Sequence, residues 1–454
     1  MVLERLELPY CASALPYFQH LANEPGAIWF HSGQPLRPGH RWEWCSAWPT
    51  ERYRYLGQGR VRVDRPLGTE SVHCDDFFRF LAQQVRPGPG LNIPFSSGLA
   101  GHLDYELGYE LHSLTGRHTP RAELACVGRY DWSLVTDHDT RRSWLLIHED
   151  CPADIRDRAL TLRGASTGVP PLEGLPRVRW QSLMSEATYQ DRFERIREYI
   201  LAGDIYQANL TRQWRATLPE NVSDWALYRH LIERVPAPFS VYHKAADHTL
   251  LSVSPERFIT IDQDRMTTQP IKGTRRRGKS EAEDRQLAEE LSASEKDRAE
   301  NLMIVDLLRN DLSRNAAIGS VKVPDLFKLE TFSNVHHLVS TITARLKSGS
   351  TPLDALRDAF PGGSITGAPK RRAMEIIEEL ELAPRGSYCG SAFWLGDDGC
   401  FDSNILIRSL VRQHDRLVCS GGGGIVADSV GDEEYKESAT KVRQLLEALG
   451  RIDD

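Results

Sequence analysis

Pro270-Ile271-Lys272-Gly273-Thr274 places a single lysine between an apolar residue and a glycine. The preceding residues, 257–261 and 266–269 around a polar turn, have the alternating pattern of a β-hairpin, which would deliver the pentapeptide to a strand end. Gly273 leaves the backbone beside the amine uncovered. Lys272 is therefore a candidate nucleophile.

To attack carbon, the amine of Lys272 must be neutral, whereas an unperturbed lysine has a pKa of about 10.4. Burial or a neighbouring cation lowers that pKa. The alternative is a solvated lysine paired with a surface carboxylate, which is the commoner state of lysines.

The composition is that of a soluble globular protein. Of 454 residues, 40% are hydrophobic and 26% charged, and the net charge of −7 gives no footprint for nucleic acid or an anionic membrane. No apolar run approaches the roughly 20 residues of a membrane-spanning helix, and the acidic start differs from a signal peptide. The eight cysteines show no metal-type or redox-type pairing, which predicts free thiols in a cytoplasmic protein.

Composition shifts divide the chain into three parts. Residues 1–165 are rich in tryptophan and predict an N-terminal subdomain of short strands with helices such as residues 75–84. Residues 166–184 are rich in glycine and proline and predict a linker. Residues 185–454 predict a second region, in which Thr188 to Asp191 resembles a capping box that opens a helix ending at Gly203.

Two later segments predict helices with carboxylates in pairs. Residues 281–312 form one helical pattern, with Asp297 and Glu300 on the face of Ile304 and Leu307. A second helix from about residue 432 places Glu434, Glu437 and Lys441 on one side. The two acidic pairs could face each other and hold Mg²⁺, a cation that prefers oxygen ligands. The alternative for Glu437 and Lys441 is an exposed i, i+4 ion pair.

The pentapeptide and seven further motifs resemble the chorismate-utilising enzymes, the family of anthranilate synthase component I. The resemblance covers residues 185–448, with a weaker N-terminal extension. The motifs are GDIYQANL at 203–210, SPERF at 254–258, KDRAENLMIVDLLRND at 296–311, FSNVHHLVS at 332–340, GAPK at 367–370, IR at 407–408 and GGGIVADS at 422–429.

The resemblance implies an α+β fold, a sandwich of antiparallel sheets with outer helices, whose sheets are shared between the N-terminal and C-terminal regions. It implies Lys272 as nucleophile, Glu256 as general acid and His337 as the group that orients the departing hydroxyl, with His336 on the opposite face of its strand. An alternative for Glu256 is an ion pair with Arg257.

For the metal, the resemblance implies Mg²⁺ held by Glu300 and Glu437, with Asp297 and Glu434 in supporting or water-mediated positions. The substrate contacts that it implies are Thr274, Thr366, Tyr388, Arg408, Lys441 and the backbone amides of Gly422, Gly423 and Gly424. A guanidinium and closely approached peptide N–H groups suit the carboxylates of chorismate. The alternative for Thr366 is a hydroxyl that stabilises a turn.

Within the family, anthranilate synthases typically carry alanine at the position of Lys272. The lysine resembles the members that make 4-amino-4-deoxychorismate, the precursor of 4-aminobenzoate in folate synthesis. Because no cysteine lies in a Gly-x-Cys-x-Gly elbow, the ammonia is expected from a glutamine amidotransferase subunit. Anthranilate synthesis is the nearest alternative, and isochorismate or salicylate synthesis is disfavoured because Gln207 stands where those relatives use lysine.

A non-catalytic subunit that binds chorismate or tryptophan is an alternative of another class. Residues 29–33, which include Ser32, resemble the segment where anthranilate synthases bind regulatory tryptophan. His31 departs from the usual acidic residue there, so the pocket is expected to hold tryptophan structurally or not at all.

Overall fold

The computed structural model describes residues 3–36, 40–88, 90, 93–172, 174–219, 221–331 and 335–453, so the motif at 332–340 begins outside the described residues. The strands are β1 Leu3–Leu8, β2 Ile28–His31, β3 Trp42–Ser46, β4 Glu51–Tyr55, β5 Arg60–Arg65, β6 Gly68–His73, β7 Gly98–Leu103, β8 Ala125–Tyr130, β9 Trp132–Asp137, β10 Arg142–His148, β11 Val178–Ser182, β12 Gln207–Thr217, β13 Phe239–Lys244, β14 Thr249–Ser254, β15 Arg257–Asp262, β16 Arg265–Thr268, β17 Ile271–Arg276, β18 Lys322–Thr331, β19 Val335–Arg345, β20 Gly367–Ala368, β21 Ser391–Gly396, β22 Phe401–Asn404, β23 Ser409–Gln413, β24 Arg416–Ile425 and β25 Gly450–Asp453.

The helices are α1 Leu15–Phe18, α2 Phe77–Ala82, α3 Leu107–Leu111, α4 Ala153–Leu160, α5 Glu186–Leu201, α6 Asp224–Arg234, α7 Glu281–Ala293, α8 Glu295–Ser313, α9 Pro352–Ala359, α10 Lys370–Leu380 and α11 Gly431–Leu449. None of these helices is long and apolar enough to cross a membrane.

Within the described residues, the strands form one sheet of 13 strands and one of 12. The first runs β1-β10-β9-β3-β2-β13-β14-β23-β24-β12-β11-β25, with β20 on β12, and the second runs β17-β19-β16-β15-β22-β21-β7-β8-β4-β5-β6, with β18 on β19. The pairing is mostly antiparallel, although β11 and β25 are parallel. Both sheets contain strands from before residue 166 and after residue 184.

The two sheets pack face to face, and helices cover their other faces. Between the sheets, Val241 and Leu250 of the first pack with Ala392 of the second, and Trp44, Phe95 and neighbouring residues form a second apolar contact. Face-to-face packing buries alternate residues of each strand. The predicted α+β sandwich of antiparallel sheets with outer helices is confirmed.

Local capping explains where the helix boundaries differ from the sequence predictions. The helix expected to open at Thr188 begins at Glu186, because the Oγ of Ser185 accepts the N–H of Thr188 as its N-cap. The single helix expected over 281–312 is two helices, because Ser294 ends α7 in extended conformation and caps α8 by accepting the N–H of Asp297. Helix α2 is shorter than residues 75–84.

The predicted hairpin is confirmed as β15 and β16. After the hairpin, Lys272 is the second residue of a separate strand, β17, and so lies near the beginning of that strand. Strands β16 and β17 pair with the same side of β19, β16 with residues 342–345 and β17 with residues 335–339. Strand β18 pairs with the other side, so the chain continues along β19 through Gln269 and Pro270.

Candidate active site

A β-bulge at Gly273 sets the direction of Lys272. Lys272 pairs with Leu338 and Thr274 with the adjacent His337, so Gly273 is the extra residue of β17. Its φ of +76° lies in the left-handed region, and a Cβ there would come 2.8 Å from Cδ1 of Leu291. Only glycine meets both constraints without strain.

Lys272 is half-buried beneath α8. Burial lowers the pKa of its amine, as does the nearby ammonium of Lys441, whereas the carboxylates of Glu256, Glu300 and Glu437 act in the opposite direction. The balance lies below the ordinary value, which increases the fraction of neutral amine. The nitrogen is thus close to the predicted acid and to carboxylates from both acidic helices.

The pKa of Glu256, which lies between β14 and β15, is shifted in the opposite direction. Burial raises the pKa of its carboxyl, while Lys272 and the hydrogen bond from Ser364 partly counter the effect. The Oγ of Ser364 donates to Oε1 of Glu256 over 2.8 Å. Arg257 does not take Glu256 as its partner, since it forms its ion pair with Asp402 at 3.0 Å.

His337 and His336 point to opposite sides of β19. Nδ1 of His337 lies 2.9 Å from Oγ1 of Thr274, which fixes the two predicted site residues against each other. His336 instead contacts Oδ1 of Asp284 and Oγ1 of Thr331, each at 2.9 Å. This alternation follows from the pleat of the strand.

A cavity of about 550 Å³ joins several predicted residues. Those that line it are Glu256, Thr274, His337, Arg408 and Lys441. Arg443, Gln444 and Glu330, which sequence reasoning did not select, line it as well. Lys272, Thr366, Tyr388 and the four predicted metal ligands are not among its lining residues.

Three of the predicted metal ligands share one electrostatic environment. The ammonium of Lys296 on α8 acts on Glu300 of the same helix and on Glu434 and Glu437 of α11, so the two helices face each other. Burial raises the pKa values of Glu300 and Glu434. Asp297 is instead held by Arg275 at 3.0 Å.

The carboxylates of the four predicted metal ligands suit a hard cation, although their oxygen atoms do not lie close together. Within the described residues, Glu300 makes no hydrogen bond or ion pair of its own. A half-buried carboxylate of this kind is stabilised in its ionised form by a cation. Among the described residues, no three of the predicted ligands bring oxygen atoms within 4.8 Å of one another.

The glycine strand and α11 lie in direct contact. Nζ of Lys441 donates to the carbonyl of Gly422 over 3.1 Å and pairs with Glu437 at 2.8 Å. Burial alone would raise the pKa of Glu437, but the charge and hydrogen bond of Lys441 lower it below its usual value. A Cβ on Gly423 would lie 2.9 Å from Oε2 of Glu434. A Cβ on Gly421 would lie 2.7 Å from the backbone oxygen of Ser438, so glycine there lets α11 approach this closely.

The other predicted substrate contacts, Thr366, Tyr388 and Arg408, differ in their surroundings. The hydroxyl of Thr366, fully buried, donates to the carbonyl of Gly362 over 3.0 Å, which is the turn role considered for it. Tyr388 is buried, and Arg408 has a φ of +49° with its side chain at the cavity. The amide nitrogen of Gln207 is buried beside Gly424 and has no hydrogen-bond partner in the described part of the chain.

Sequence reasoning missed two interactions, the hydrogen bond of Ser364 to Glu256 and the ion pair of Lys370 with Asp311. Ser364 follows two glycines, but nothing in its local sequence signals the bond to Glu256. Lys370 and Asp311, conspicuous within the GAPK and RND motifs, form a buried ion pair at 2.9 Å, and Lys370 also donates to the carbonyl of Ala359. Their contacts join α8 to α10, a structural role.

Ser32 lines a separate cavity of about 130 Å³ with His31, Phe30 and Trp44. His31 stacks on Trp29 with ring centroids 3.9 Å apart, and its Nε2 lies 2.8 Å from the hydroxyl of Tyr228. Burial lowers the pKa of His31 to about 3, so this ring is neutral.

Comparison with known proteins gives the same family as the motifs. A model of the chorismate binding enzymes matches residues 55–447. The chain is 41% identical over 442 residues to aminodeoxychorismate synthase component 1 of Salmonella typhimurium, covering 95% of each chain, and 41% identical over 441 residues to that of Escherichia coli, again covering 95% of each. It is 45% identical over 415 residues to anthranilate synthase component 1 of Thermus thermophilus, covering 88% of this chain and 89% of the relative.

Solved structures support the same conclusion about the fold. Anthranilate synthase component I from Streptococcus pneumoniae superposes with a TM-score of 0.79 at 26% identity, covering 90% of this chain and 93% of the other. The menaquinone-specific isochorismate synthase MenF from Escherichia coli has a TM-score of 0.74 at 18% identity, covering 98% and 94%. The chain belongs to the chorismate-binding enzyme family.

Proposed function

We propose that this chain is an enzyme that converts chorismate and ammonia to 4-amino-4-deoxychorismate, the precursor of 4-aminobenzoate in folate synthesis. The observation that carries the proposal is the opposed pair of shifts at Lys272 and Glu256, where burial lowers the pKa of the amine and raises that of the acid. A site that favours a neutral amine and a protonated carboxyl supplies a nucleophile and a general acid together. The enterobacterial relatives named aminodeoxychorismate synthase component 1 support this function.

In the first step, the neutral amine of Lys272 forms a C–N bond to the ring carbon beside the carboxylated carbon. Both ring double bonds shift by one position, and the ring hydroxyl leaves as water with the proton of Glu256. In the second step, ammonia bonds to the carbon that lost the hydroxyl, and the C–N bond to Lys272 breaks to regenerate the amine. The proton released by ammonia returns to the carboxylate of Glu256, so chorismate and ammonia give the product and water.

The other side chains bind and orient the substrate. Arg408 and Lys441, both at the cavity, attract the carboxylates of chorismate. Thr274 holds His337 at 2.9 Å, which aims the imidazole at the departing hydroxyl. Gly422, Gly423 and Gly424 present their backbone at the point where α11 approaches. Thr366 and Tyr388 do not line the cavity, and we assign them as substrate contacts from the family motifs alone.

We assign Glu300 and Glu437 as the principal ligands of Mg²⁺, with Glu434 in support. Asp297 forms an ion pair with Arg275, so we assign it a supporting position farther from the ion. When bound, the ion would attract a substrate carboxylate and offset its negative charge. Carboxylate oxygens are the ligands that Mg²⁺ prefers, and the raised pKa values of Glu300 and Glu434 favour a cation between them.

The ammonia is proposed to come from a glutamine amidotransferase subunit. The relatives' name, component 1, supports a second component. All eight cysteines are free thiols, in accord with a reducing compartment such as the cytoplasm. Tryptophan is proposed as a structural occupant of the Ser32 cavity.

Anthranilate synthesis is the second candidate, favoured by the 45% identity to the Thermus thermophilus protein. There ammonia itself would attack beside the ring carboxylate, and no lysine nucleophile is needed. Incubation of the purified chain with chorismate, Mg²⁺ and an ammonium salt, followed by chromatography, separates the candidates. Accumulation of 4-amino-4-deoxychorismate supports the proposal, whereas anthranilate with release of pyruvate contradicts it.

The same assay tests the remaining alternatives. A non-catalytic binding subunit would leave chorismate unchanged while binding chorismate or tryptophan in calorimetry. Without ammonia, formation of isochorismate or salicylate would indicate water activation despite Gln207.

A further inference from the structure

A buried group of metal-ligating side chains lies between the two sheets, among residues that the proposed reaction does not use. His102 on β7 and Cys126 on β8 are directly paired across their strands, and His248 immediately precedes β14 of the other sheet. One ligand atom from each lies within 4.8 Å of the others. The three residues are 1%, 5% and 4% exposed, respectively.

The imidazoles are oriented as metal-binding histidines usually are. Nε2 of His102 and Nε2 of His248 face each other at 2.9 Å. Nδ1 of His248 lies 2.6 Å from the carboxylate of Asp247, and Nδ1 of His102 lies 2.9 Å from Nδ1 of His243. An outer partner on Nδ1 leaves Nε2 free to bind an ion, as in the carboxylate–histidine pairs of zinc sites.

Glu123 lies beside the group as a candidate fourth donor, although its carboxylate is not within 4.8 Å of all three ligand atoms. Its Oε2 accepts from Sγ of Cys126 at 3.0 Å, while Arg54 holds its Oε1 at 2.8 Å. Glu123 and Asp247 also bring carboxylate oxygens within 4.8 Å of His248. Two imidazoles, a thiol and a carboxylate are the donor types of a tetrahedral zinc site and are unsuited to Mg²⁺.

A small cavity borders one side of this group. This cavity of about 20 Å³ is lined by Cys126 and His243 together with Arg52 and Lys244. It is separate from the cavity of Glu256 and Lys441, with which it shares no lining residue. Donor type and outer-shell partners are features expected of a metal site.

We propose that His102, Cys126, His248 and Glu123 bind one Zn²⁺-type ion that joins the two sheets. Binding releases the thiol proton of Cys126 to solvent, so that the thiolate becomes a ligand. The proton between the two Nε2 atoms must also leave that position. His102 would then carry its proton on Nδ1 and donate it to Nδ1 of His243, whose own proton would be on Nε2. The ion would restrain the N-terminal strands β7 and β8 against β14, with no part in the chemistry at Lys272.

The test uses the full chain, stripped with a chelator, supplied with excess Mg²⁺ and titrated with Co²⁺. Binding at the proposed site gives one Co²⁺ per chain, tetrahedral visible bands and a thiolate-to-cobalt charge-transfer band, all displaced by Zn²⁺. Cys126→Ser should abolish the charge-transfer band, and His248→Gln should weaken binding. Cys151→Ser, a similarly buried cysteine elsewhere, should retain the band.

The wild-type titration alone can overturn the proposal. Absence of a thiolate band in folded wild-type protein contradicts it, as does a band that persists in Cys126→Ser. If the variants unfold, the thermal unfolding midpoint of the wild type decides. Zn²⁺ added over saturating Mg²⁺ should raise that midpoint, and an unchanged midpoint contradicts the site.

Discussion

Replacing Gly273 by alanine should disturb both the fold and the position of Lys272. At a φ of +76°, a residue with a Cβ loses about 1–2 kcal/mol relative to its relaxed conformation. The added Cβ would also lie 2.8 Å from Leu291 and 3.0 Å from Asp297. Overpacking of this kind costs about 1–3 kcal/mol. The two effects together predict a loss of roughly 2–5 kcal/mol in the free energy of unfolding.

Gly319 provides a matched control, because its φ is +72° but a Cβ there would meet nothing within 4 Å. Gly319→Ala should therefore lose only the conformational part, about 1–2 kcal/mol. Urea unfolding of both variants isolates the contact with Leu291 and Asp297. Because a displacement of about 1 Å at a reacting group costs on the order of 100-fold in rate, kcat should fall in Gly273→Ala alone. Equal stability and equal kcat in the two variants would refute the reasoning.

Three further changes test the site and its support. Ser364→Ala removes a hydrogen bond that stabilises ionised Glu256, so the pKa of Glu256 should rise further. The alkaline limb of the kcat/KM profile against pH should then move to higher pH. A limb that stays in place or moves to lower pH contradicts the role of Glu256 as acid. Lys370→Met leaves Asp311 as a buried unpaired charge and should lower the free energy of unfolding in urea by about 3–5 kcal/mol. Adding Asp311→Asn should recover part of that stability. If the effects of the two substitutions are fully additive, the two residues are not coupled. Glu300→Gln should raise the Mg²⁺ concentration needed for half-maximal activity, and an unchanged requirement would remove Glu300 from the metal site.

Sequence patterns predicted the segments that form α2, α5, α7 with α8, and α11, but they could not locate the ends of these helices. The apolar stripe of α11 and the common side of Glu434, Glu437 and Lys441 follow from spacing alone. The break between α7 and α8 was missed because Ser294 ends one helix and caps the next without interrupting the amphipathic pattern. The start of α5 was missed because Ser185 and Thr188 are both good N-cap residues, and only the backbone conformation distinguishes them.

Local sequence patterns could not predict contacts between strands that are distant in the sequence. The position of Lys272 in β17 depends on pairing with β19, a strand more than sixty residues later. The bond from Ser364 to Glu256 and the meeting of His102 with His248 likewise arise from sheet assembly. By contrast, the family motifs led to Glu256, His337, Arg408 and Lys441, which the fold brings to one cavity.

The covalent role of Lys272 can be measured directly by intact-protein mass spectrometry. Enzyme incubated with chorismate and Mg²⁺ in the absence of ammonia should gain the mass of chorismate less one water, and peptide mapping should place it on Lys272. Addition of ammonium salt should discharge the adduct as product, and Lys272→Ala should neither form it nor turn over. Wild-type-like turnover by Lys272→Ala, with no adduct trapped on the wild-type enzyme, would contradict the nucleophilic mechanism.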